Sequence, residues 1–130
     1  IKPMIKDYCT GVQHIGIPTN NIDKTKRFFA DLGFSLAYAT VNDGQQVAFL
    51  QLGNLMIETW ESGDATMQVG AIDHISIDVK GVDELFRIVE AKGYKALEGH
   101  VCALPFWEHG VRFFTIEGPD KEKIEFCERL

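Results

Sequence analysis

The stretch from Ala71 to Val79 alternates between apolar and polar side chains, and a second version of it stands near the start of the chain. This alternation is typical of a half-buried β-strand. Ile75, Ile77 and Val79 form its apolar face, whereas His74 lies on the other face. Sixty residues earlier (74 − 14), Val12–Ile17 places His14 in the same phase. The two stretches therefore predict two similar strands, each with a histidine turned away from the packed side.

The repeat continues beyond the two strands. The same spacing of 60 residues separates Asp23 from Asp83, Gly33 from Gly93 and Phe34 from Tyr94. Each half then carries one helical pattern followed by three strand patterns, so each half predicts a β-α-β-β-β module. We expect an α+β fold in which the two modules form an eight-stranded curved sheet around a cleft.

The predicted organisation has four segments: an N-terminal arm at 1–10, a first module at 11–60, a linker at 61–70 and a second module at 71–130. The first strand is expected to end at Pro18, with an N-cap at Asn20 or Asn21 for the helix that follows. In the second module, the sixth strand is predicted from Tyr94 to about Glu98. A long loop from Gly99 to Gly110 follows it.

Composition excludes several classes of protein. The net charge of −6 argues against non-specific nucleic-acid binding, which needs a basic surface. No apolar run approaches the roughly 18 residues that would cross a membrane. The three cysteines are widely spaced and form no CxxC pair, so we expect reduced thiols. Without a signal-peptide pattern, we expect a cytoplasmic protein.

Two glutamates share the histidines' predicted face. Glu58 and Glu125 each follow an isoleucine near the end of their module, and strand parity turns them towards the cleft with His14 and His74. Two imidazoles and two carboxylates can hold a divalent ion such as zinc, nickel, cobalt, manganese or iron(II). Taken singly, a strand histidine or glutamate is more often an ordinary polar surface residue, so the hypothesis depends on the symmetric set of four.

These residues resemble the vicinal oxygen chelate superfamily, which includes glyoxalase, bleomycin-resistance and extradiol dioxygenase proteins. The resemblance covers about residues 11–130. It is carried by four motifs: Gln13-His14-Ile15-Gly16, Glu58, Asp73-His74-Ile75, and Gly118-Pro119-Asp120 with Lys123-Ile124-Glu125. Within the superfamily, the four-ligand pattern is similar to glyoxalase I, the lactoylglutathione lyase.

The resemblance implies that His14, Glu58, His74 and Glu125 are ligands of a zinc, nickel or cobalt ion. It also implies that Glu58 or Glu125, or both, leave the metal and act as the catalytic base. A small substrate with adjacent oxygens would then be isomerised through an enediolate stabilised by the metal. The resemblance further implies a homodimer, because modules of glyoxalase I-like proteins pair between chains. Exposed edges of curved sheets also favour such a partner.

Other readings of the sequence stay open. Pro18 stands where glyoxalase I has an arginine that grips a glutathione carboxylate. The first strand also resembles methylmalonyl-CoA epimerase, which has glutamine in place of Glu58. A metal-free, bleomycin-resistance-like binding protein is a further alternative. Ring-cleaving dioxygenases and thiol transferases to epoxides would use two histidines and one glutamate, so all four ligands disfavour them.

The Gly99–Gly110 loop has two interpretations. It contains Phe106 and Trp107, which predict either an aromatic lid or a loop folded on its own side chains. As a lid, it would bring His109 or Arg112 to an anionic substrate. Cys127 shares the parity of Glu125, but no neighbouring base would activate it as a nucleophile.

Overall fold

The computed structural model describes residues 2–130. The chain divides into two compact units, and the division falls between Gly63 and Asp64. Each unit contains one α-helix and one four-stranded sheet, so the expected α+β fold with two β-α-β-β-β modules is confirmed. The eight strands are divided equally between two sheets, one in each unit. Neither α-helix of the described residues is long and apolar enough to cross a membrane.

The first unit begins with a short 3₁₀ helix, Ile5–Tyr8, within the predicted arm. Its sheet has the order β1-β4-β3-β2, with β1 parallel to β4 and the other neighbours antiparallel. The elements are β1 (Ile15–Thr19), α1 (Ile22–Asp31), β2 (Ser35–Asn42), β3 (Gln45–Leu52) and β4 (Leu55–Glu61).

The second unit repeats this order as β5-β8-β7-β6, again with one parallel pair, β5 and β8. Its elements are β5 (Ile75–Asp78), α2 (Val82–Ala91), β6 (Cys102–Leu104), β7 (Val111–Glu117) and β8 (Lys123–Arg129). Residues 62–74, which join the two sheets, contain no helix or strand.

Each helix packs its apolar side on the sheet of its own unit. In the first unit, Phe29 is fully buried and meets the ring of Phe34 edge-on at 5.1 Å. In the second, Phe86 of α2 meets Phe114 of β7 edge-on at 5.3 Å. Ile57 and Ile124 are buried on the helix-facing side, as strand parity predicted. This burial fixes the register, because a shift of one residue would turn Glu58 and Glu125 into the core.

A glutamate at the end of the last strand caps the helix in each unit. Glu61 accepts a hydrogen bond from the Ile22 N–H at 2.9 Å, and Glu128 accepts one from the Val82 N–H at 3.0 Å. A carboxylate at a helix N-terminus satisfies an otherwise unpaired N–H and interacts favourably with the helix dipole. Hydrogen bonds from the Val82 and Gly81 backbone lower the pKa of Glu128. Asn21 also caps α1, through the Lys24 N–H.

The predicted sixth strand is wrong. Residues 94–98 form no strand, and β6 begins only at Cys102. The Glu98 carboxylate accepts the Thr115 N–H of β7 at 2.8 Å, a donor that a neighbouring strand would otherwise use. One backbone bond remains, from the Leu97 N–H to the Thr115 carbonyl at 2.7 Å. The strand that pairs with β7 therefore forms later in the chain, inside the Gly99–Gly110 segment that was predicted to be a loop.

The first strand also differs from the prediction, because it starts at Ile15 and passes through Pro18 to Thr19. Proline is tolerated there because β1 lies at the edge of its sheet, where a missing N–H need not cost a ladder hydrogen bond. His14 and His74 consequently stand immediately before β1 and β5 rather than inside them.

Candidate metal centre

The first half-site consists of His14 and Glu58. Gly16 is the register partner of Glu58 across the parallel β1–β4 pair, so His14 lies two residues before the glutamate's neighbour. The Nε2 atom of His14 is 3.3 Å from Glu58 Oε1. The two side chains are 33% and 30% exposed, so they are positioned by the sheet yet open to a ligand.

The second half-site consists of His74 and Glu125, joined by Ser76. Ser76 pairs with Glu125 across β5 and β8, and its hydroxyl donates a 2.7 Å hydrogen bond to Glu125 Oε1. The other carboxylate oxygen, Oε2, is 3.8 Å from His74 Nε2. Ser76 therefore fixes the orientation of the carboxylate and leaves one oxygen directed towards the imidazole.

The other nitrogen of each histidine has a partner of its own. His14 Nδ1 is 3.0 Å from Gln13 Oε1, and His74 Nδ1 is 2.9 Å from Asp73 Oδ2. In the neutral imidazole, each oxygen accepts an Nδ1–H, and Nε2 then carries the lone pair. Metal-binding histidines show this arrangement, because the outer hydrogen bond sets the tautomer and the ring orientation.

Asp73 is itself held by a cation. The hydrogen bond to His74 and the charge of Lys123, whose Nζ is 3.4 Å away, lower the pKa of Asp73. A carboxylate that stays ionised is a permanent acceptor for the imidazole N–H. Neither Asp73 nor Lys123 was expected to act on the histidine, although both stand in the motifs that pointed to the superfamily.

The donor distances within each His–Glu pair fit a divalent ion bound by both members of that pair. Two atoms bound at about 2.1 Å and separated by an angle of about 90–130° are about 3.0–3.8 Å apart. The His–Glu separations of 3.3 and 3.8 Å fall in this range. Each pair contains one nitrogen and one oxygen donor. Across residues 2–130, no group of three or more histidine, cysteine, aspartate or glutamate side chains is gathered for a metal.

Aromatic side chains surround the first half-site. The ring of His14 meets Phe49 edge-on at 5.7 Å, and Tyr38 continues the row at 6.1 Å from Phe49. Trp60 lies against Gly16, where an added Cβ would stand only 3.2 Å from the indole ring. Gly16 therefore leaves room for the Trp60 ring on the side of the sheet that bears Glu58. Strand parity in the sequence places Trp60 on the same face as Glu58, whereas the face of Phe49 and Tyr38 follows from the register of β3 and β2.

Three further candidates from the sequence lie outside the His–Glu pairs. Arg112 lies on the helix-facing side of β7, where it pairs with Asp83 of α2, so it does not share the face of Glu125. Burial and the charges of Glu125 and Asp78 raise the pKa of Cys127. Its thiol stays protonated, which agrees with the expectation that it is not a nucleophile. His109 lies 3.7 Å from Glu108 in the β6–β7 loop.

Comparison with known proteins identifies the fold and the family. A family model described as Glyoxalase/Bleomycin resistance protein/Dioxygenase superfamily matches residues 11–126. No curated protein sequence matches the chain.

Solved structures share the fold at low sequence identity. A glyoxalase family protein from Enterococcus faecalis is 19% identical with a TM-score of 0.77, over 91% of this chain and 97% of that one. The fosfomycin resistance protein FosX from Listeria monocytogenes, complexed with Mn(II) and sulfate, is 20% identical with a TM-score of 0.71, over 94% of each chain. A lactoylglutathione lyase from Agrobacterium tumefaciens is 17% identical with a TM-score of 0.69, over 92% and 94%.

These likenesses agree with the two β-α-β-β-β modules and with the motifs that pointed to the superfamily. The family model spans nearly all of both modules, from Gly11 to Phe126. The chain therefore belongs to the Glyoxalase/Bleomycin resistance protein/Dioxygenase superfamily.

Proposed function

We propose that this protein is a metal-dependent lyase or isomerase of glyoxalase I type that acts on a small substrate with adjacent oxygens. The observation that carries the proposal is the pair of half-sites. In each, a histidine directs Nε2 towards a glutamate oxygen while its Nδ1 is held by a neighbour. The proposed ligands are His14, Glu58, His74 and Glu125, with one pair contributed by each unit.

Zinc, nickel or cobalt would suit this donor set, because all three accept imidazole nitrogen together with carboxylate oxygen. When bound, the ion supplies Lewis acidity to the two substrate oxygens. FosX from Listeria monocytogenes supports the general expectation, since one of its structures is described as a complex with Mn(II).

The protein's own contribution is proton transfer between adjacent carbons. A glutamate carboxylate takes the proton of the substrate C–H and returns it to the neighbouring carbon, so the step needs no external oxidant or reductant. Ser76 orients Glu125, whereas the corresponding position beside Glu58 is Gly16, which has no donor side chain. We assign the base role to Glu125 and Glu58 together, and the structural difference predicts that the two are not equivalent.

Solvent-exchange experiments test the proposed chemistry. The hemithioacetals of methylglyoxal with glutathione and with 2-mercaptoethanol serve as probes, and NMR in D₂O follows deuterium entry at the migrating position. Metal-loaded protein should catalyse isomerisation. Glu125→Gln should lower the rate by about 10²–10⁴, the usual cost of losing a general base. Glutamine keeps a ligand oxygen, so metal uptake should weaken only in part.

Glu90→Gln is the matched control, because Glu90 is exposed on α2 and outside both half-sites. It should leave the rate unchanged. Equal rates for the wild type and Glu125→Gln would remove Glu125 from the mechanism.

The principal alternative is a metal-free binding protein like the bleomycin-resistance members of the superfamily. It predicts ligand capture without turnover and without metal uptake. Metal analysis of the purified protein separates the two functions, because only the enzyme needs about one ion for each set of four ligands.

A further inference from the structure

A cavity of about 460 Å³ lies in the second unit, at the end of the β6–β7 hairpin. Its size is within the range of small-molecule sites in proteins. Most of the wall is apolar, with Leu104, Pro105, Trp107, Val111 and Leu130 in its lining. The lining also includes Glu108 and His109, which pair with each other, Oε1 to Nε2, at 3.7 Å.

Arg129 stands beside this cavity. It pairs with Val111 across β8 and β7, and Val111 pairs with Leu104 across β7 and β6, so the three share one face of the sheet. The guanidinium lies over the Trp107 ring, 4.4 Å from its centroid. Within residues 2–130, Arg129 forms no ion pair with a carboxylate, although it is exposed. Its hydrogen-bonding fork is therefore available to a ligand.

The same face leads to the second half-site. Glu125 and Arg129 are four residues apart on β8, so both side chains project from one side of the strand. At about 3.3 Å per residue, the two backbone positions are about 13 Å apart. A ligand with its reacting oxygens near Glu125 would have to extend along Cys127 to reach this cavity.

The backbone of Trp107 is adapted to this position. Its φ is +61°, a left-handed conformation that bulky residues rarely adopt, and its indole is 70% exposed. Such conformations carry an energetic cost and concentrate at ligand-binding sites. An exposed indole above an arginine provides a flat apolar surface beside a positive charge.

We propose that this cavity, which we name the Arg129 pocket, binds the far end of the substrate, and that this end is an aromatic or bulky apolar group bearing a carboxylate. The proposal rests on the proposed function, to which it adds a substrate class. Arg129 would bind the carboxylate, while Trp107, Leu104 and Val111 would contact the apolar body. The sequence had suggested Arg112 or His109 for an anionic group, and the strand register assigns that role to Arg129.

Binding of 2-naphthoate, with the uncharged 2-naphthalenemethanol as its matched probe, tests this pocket. Ligand-observed NMR titrations of the full chain measure both dissociation constants, with and without added Zn²⁺. We expect saturable binding of the naphthoate. Arg129→Gln should weaken it about 10-fold or more, because a charge-assisted contact is lost. The same change should leave the alcohol within about twofold.

Two further variants complete the design. Trp107→Leu should weaken both probes, since it removes the ring surface. Arg27→Gln, at an exposed position of α1, should affect neither. The pocket is refuted if the naphthoate does not saturate, or if Arg129→Gln and Arg27→Gln bind it equally well.

Metal uptake is measured on the same samples and distinguishes this proposal from the proposed function. Arg129→Gln should bind Zn²⁺ as the wild type does. Metal uptake without naphthoate binding would refute the pocket alone. Naphthoate binding without metal uptake would refute the metal-dependent function and, with it, the assignment of the pocket to that function's substrate.

Discussion

Replacement of Glu122 by glutamine should make the protein more stable at high pH and leave it nearly unchanged at low pH. Glu122 lies in the turn between β7 and β8, where Oε1 accepts the Asp120 N–H at 3.0 Å. Oε2 is buried and finds no hydrogen-bond partner among the described residues. A Cβ on Gly118 would overlap the same carboxyl group, so the turn closes tightly around it.

Burial, assisted by the nearby charge of Asp120, raises the pKa of Glu122 from 4.5 to about 7. Below pH 4.5 the carboxyl is protonated in both the folded and the unfolded chain, so its ionisation does not lower the free energy of unfolding. Between pH 4.5 and about 7 the folded chain holds a proton that the unfolded chain has released, and stability falls as the pH rises. Above pH 7 the free energy of unfolding falls no further. At about 1.4 kcal/mol per pH unit, the total decrease is roughly 3 kcal/mol.

Urea unfolding of the wild type and Glu122→Gln at pH 4 and pH 8 measures this difference. Glutamine keeps the acceptor for the Asp120 N–H and cannot ionise. We expect a gain of up to about 3 kcal/mol at pH 8 and close to none at pH 4. Glu90→Gln, on the exposed side of α2, should change stability by less than about 0.5 kcal/mol at either pH. Equal effects of Glu122→Gln at the two pH values would refute the argument.

Three further predictions concern the site. Ser76→Ala should lower metal affinity or activity about 10–100-fold, because the hydrogen bond to Glu125 is lost. Ser35→Ala on β2 is the control and should lower neither. Equal metal affinity and activity in the two variants would show that the Ser76 hydrogen bond is unimportant. The glutathione hemithioacetal should be a poor substrate in steady-state assays, since Pro18 replaces a charge-assisted contact worth about 1.5–3 kcal/mol, and an efficiency above about 10⁷ M⁻¹s⁻¹ would contradict this. If modules pair between two chains of a homodimer, mixing His14→Ala with Glu125→Ala chains should restore up to about half the activity per heterodimer. No recovery after verified subunit exchange would place each site within one chain.

The two modules could be predicted because their signals are local and repeated. Apolar alternation and helix periodicity each appear twice with the same spacing, and burial of Ile57 and Ile124 follows from that pattern. The same parity put Glu58 and Glu125 on the open face. Each His–Glu contact lies within one unit, across the parallel pair β1–β4 or β5–β8.

The differences between the structure and the predictions have separate physical causes. Glu98 takes a donor of β7 that the predicted sixth strand would have used, and β-propensity alone does not reveal such a substitution. Pro18 alone predicts the end of a strand, whereas its place in an edge strand depends on strand order, which is a tertiary property. Arg112 was one of two residues suggested for an anionic substrate, because the sequence does not fix the register of β7. Arg129 shares parity with Glu125 and could have been found by extending that argument along β8.

Metal-site spectroscopy tests the central claim most directly. The protein loaded with Zn²⁺ should bind about one ion for each set of four ligands, and X-ray absorption should show two imidazole nitrogens and two carboxylate oxygens at about 2.0–2.2 Å. Both His14→Ala and His74→Ala should reduce the imidazole count and abolish tight binding, while His100→Ala, in the segment before β6, should do neither. A protein that takes up no divalent ion, or whose metal environment is unchanged in both His14→Ala and His74→Ala, would contradict the proposed centre.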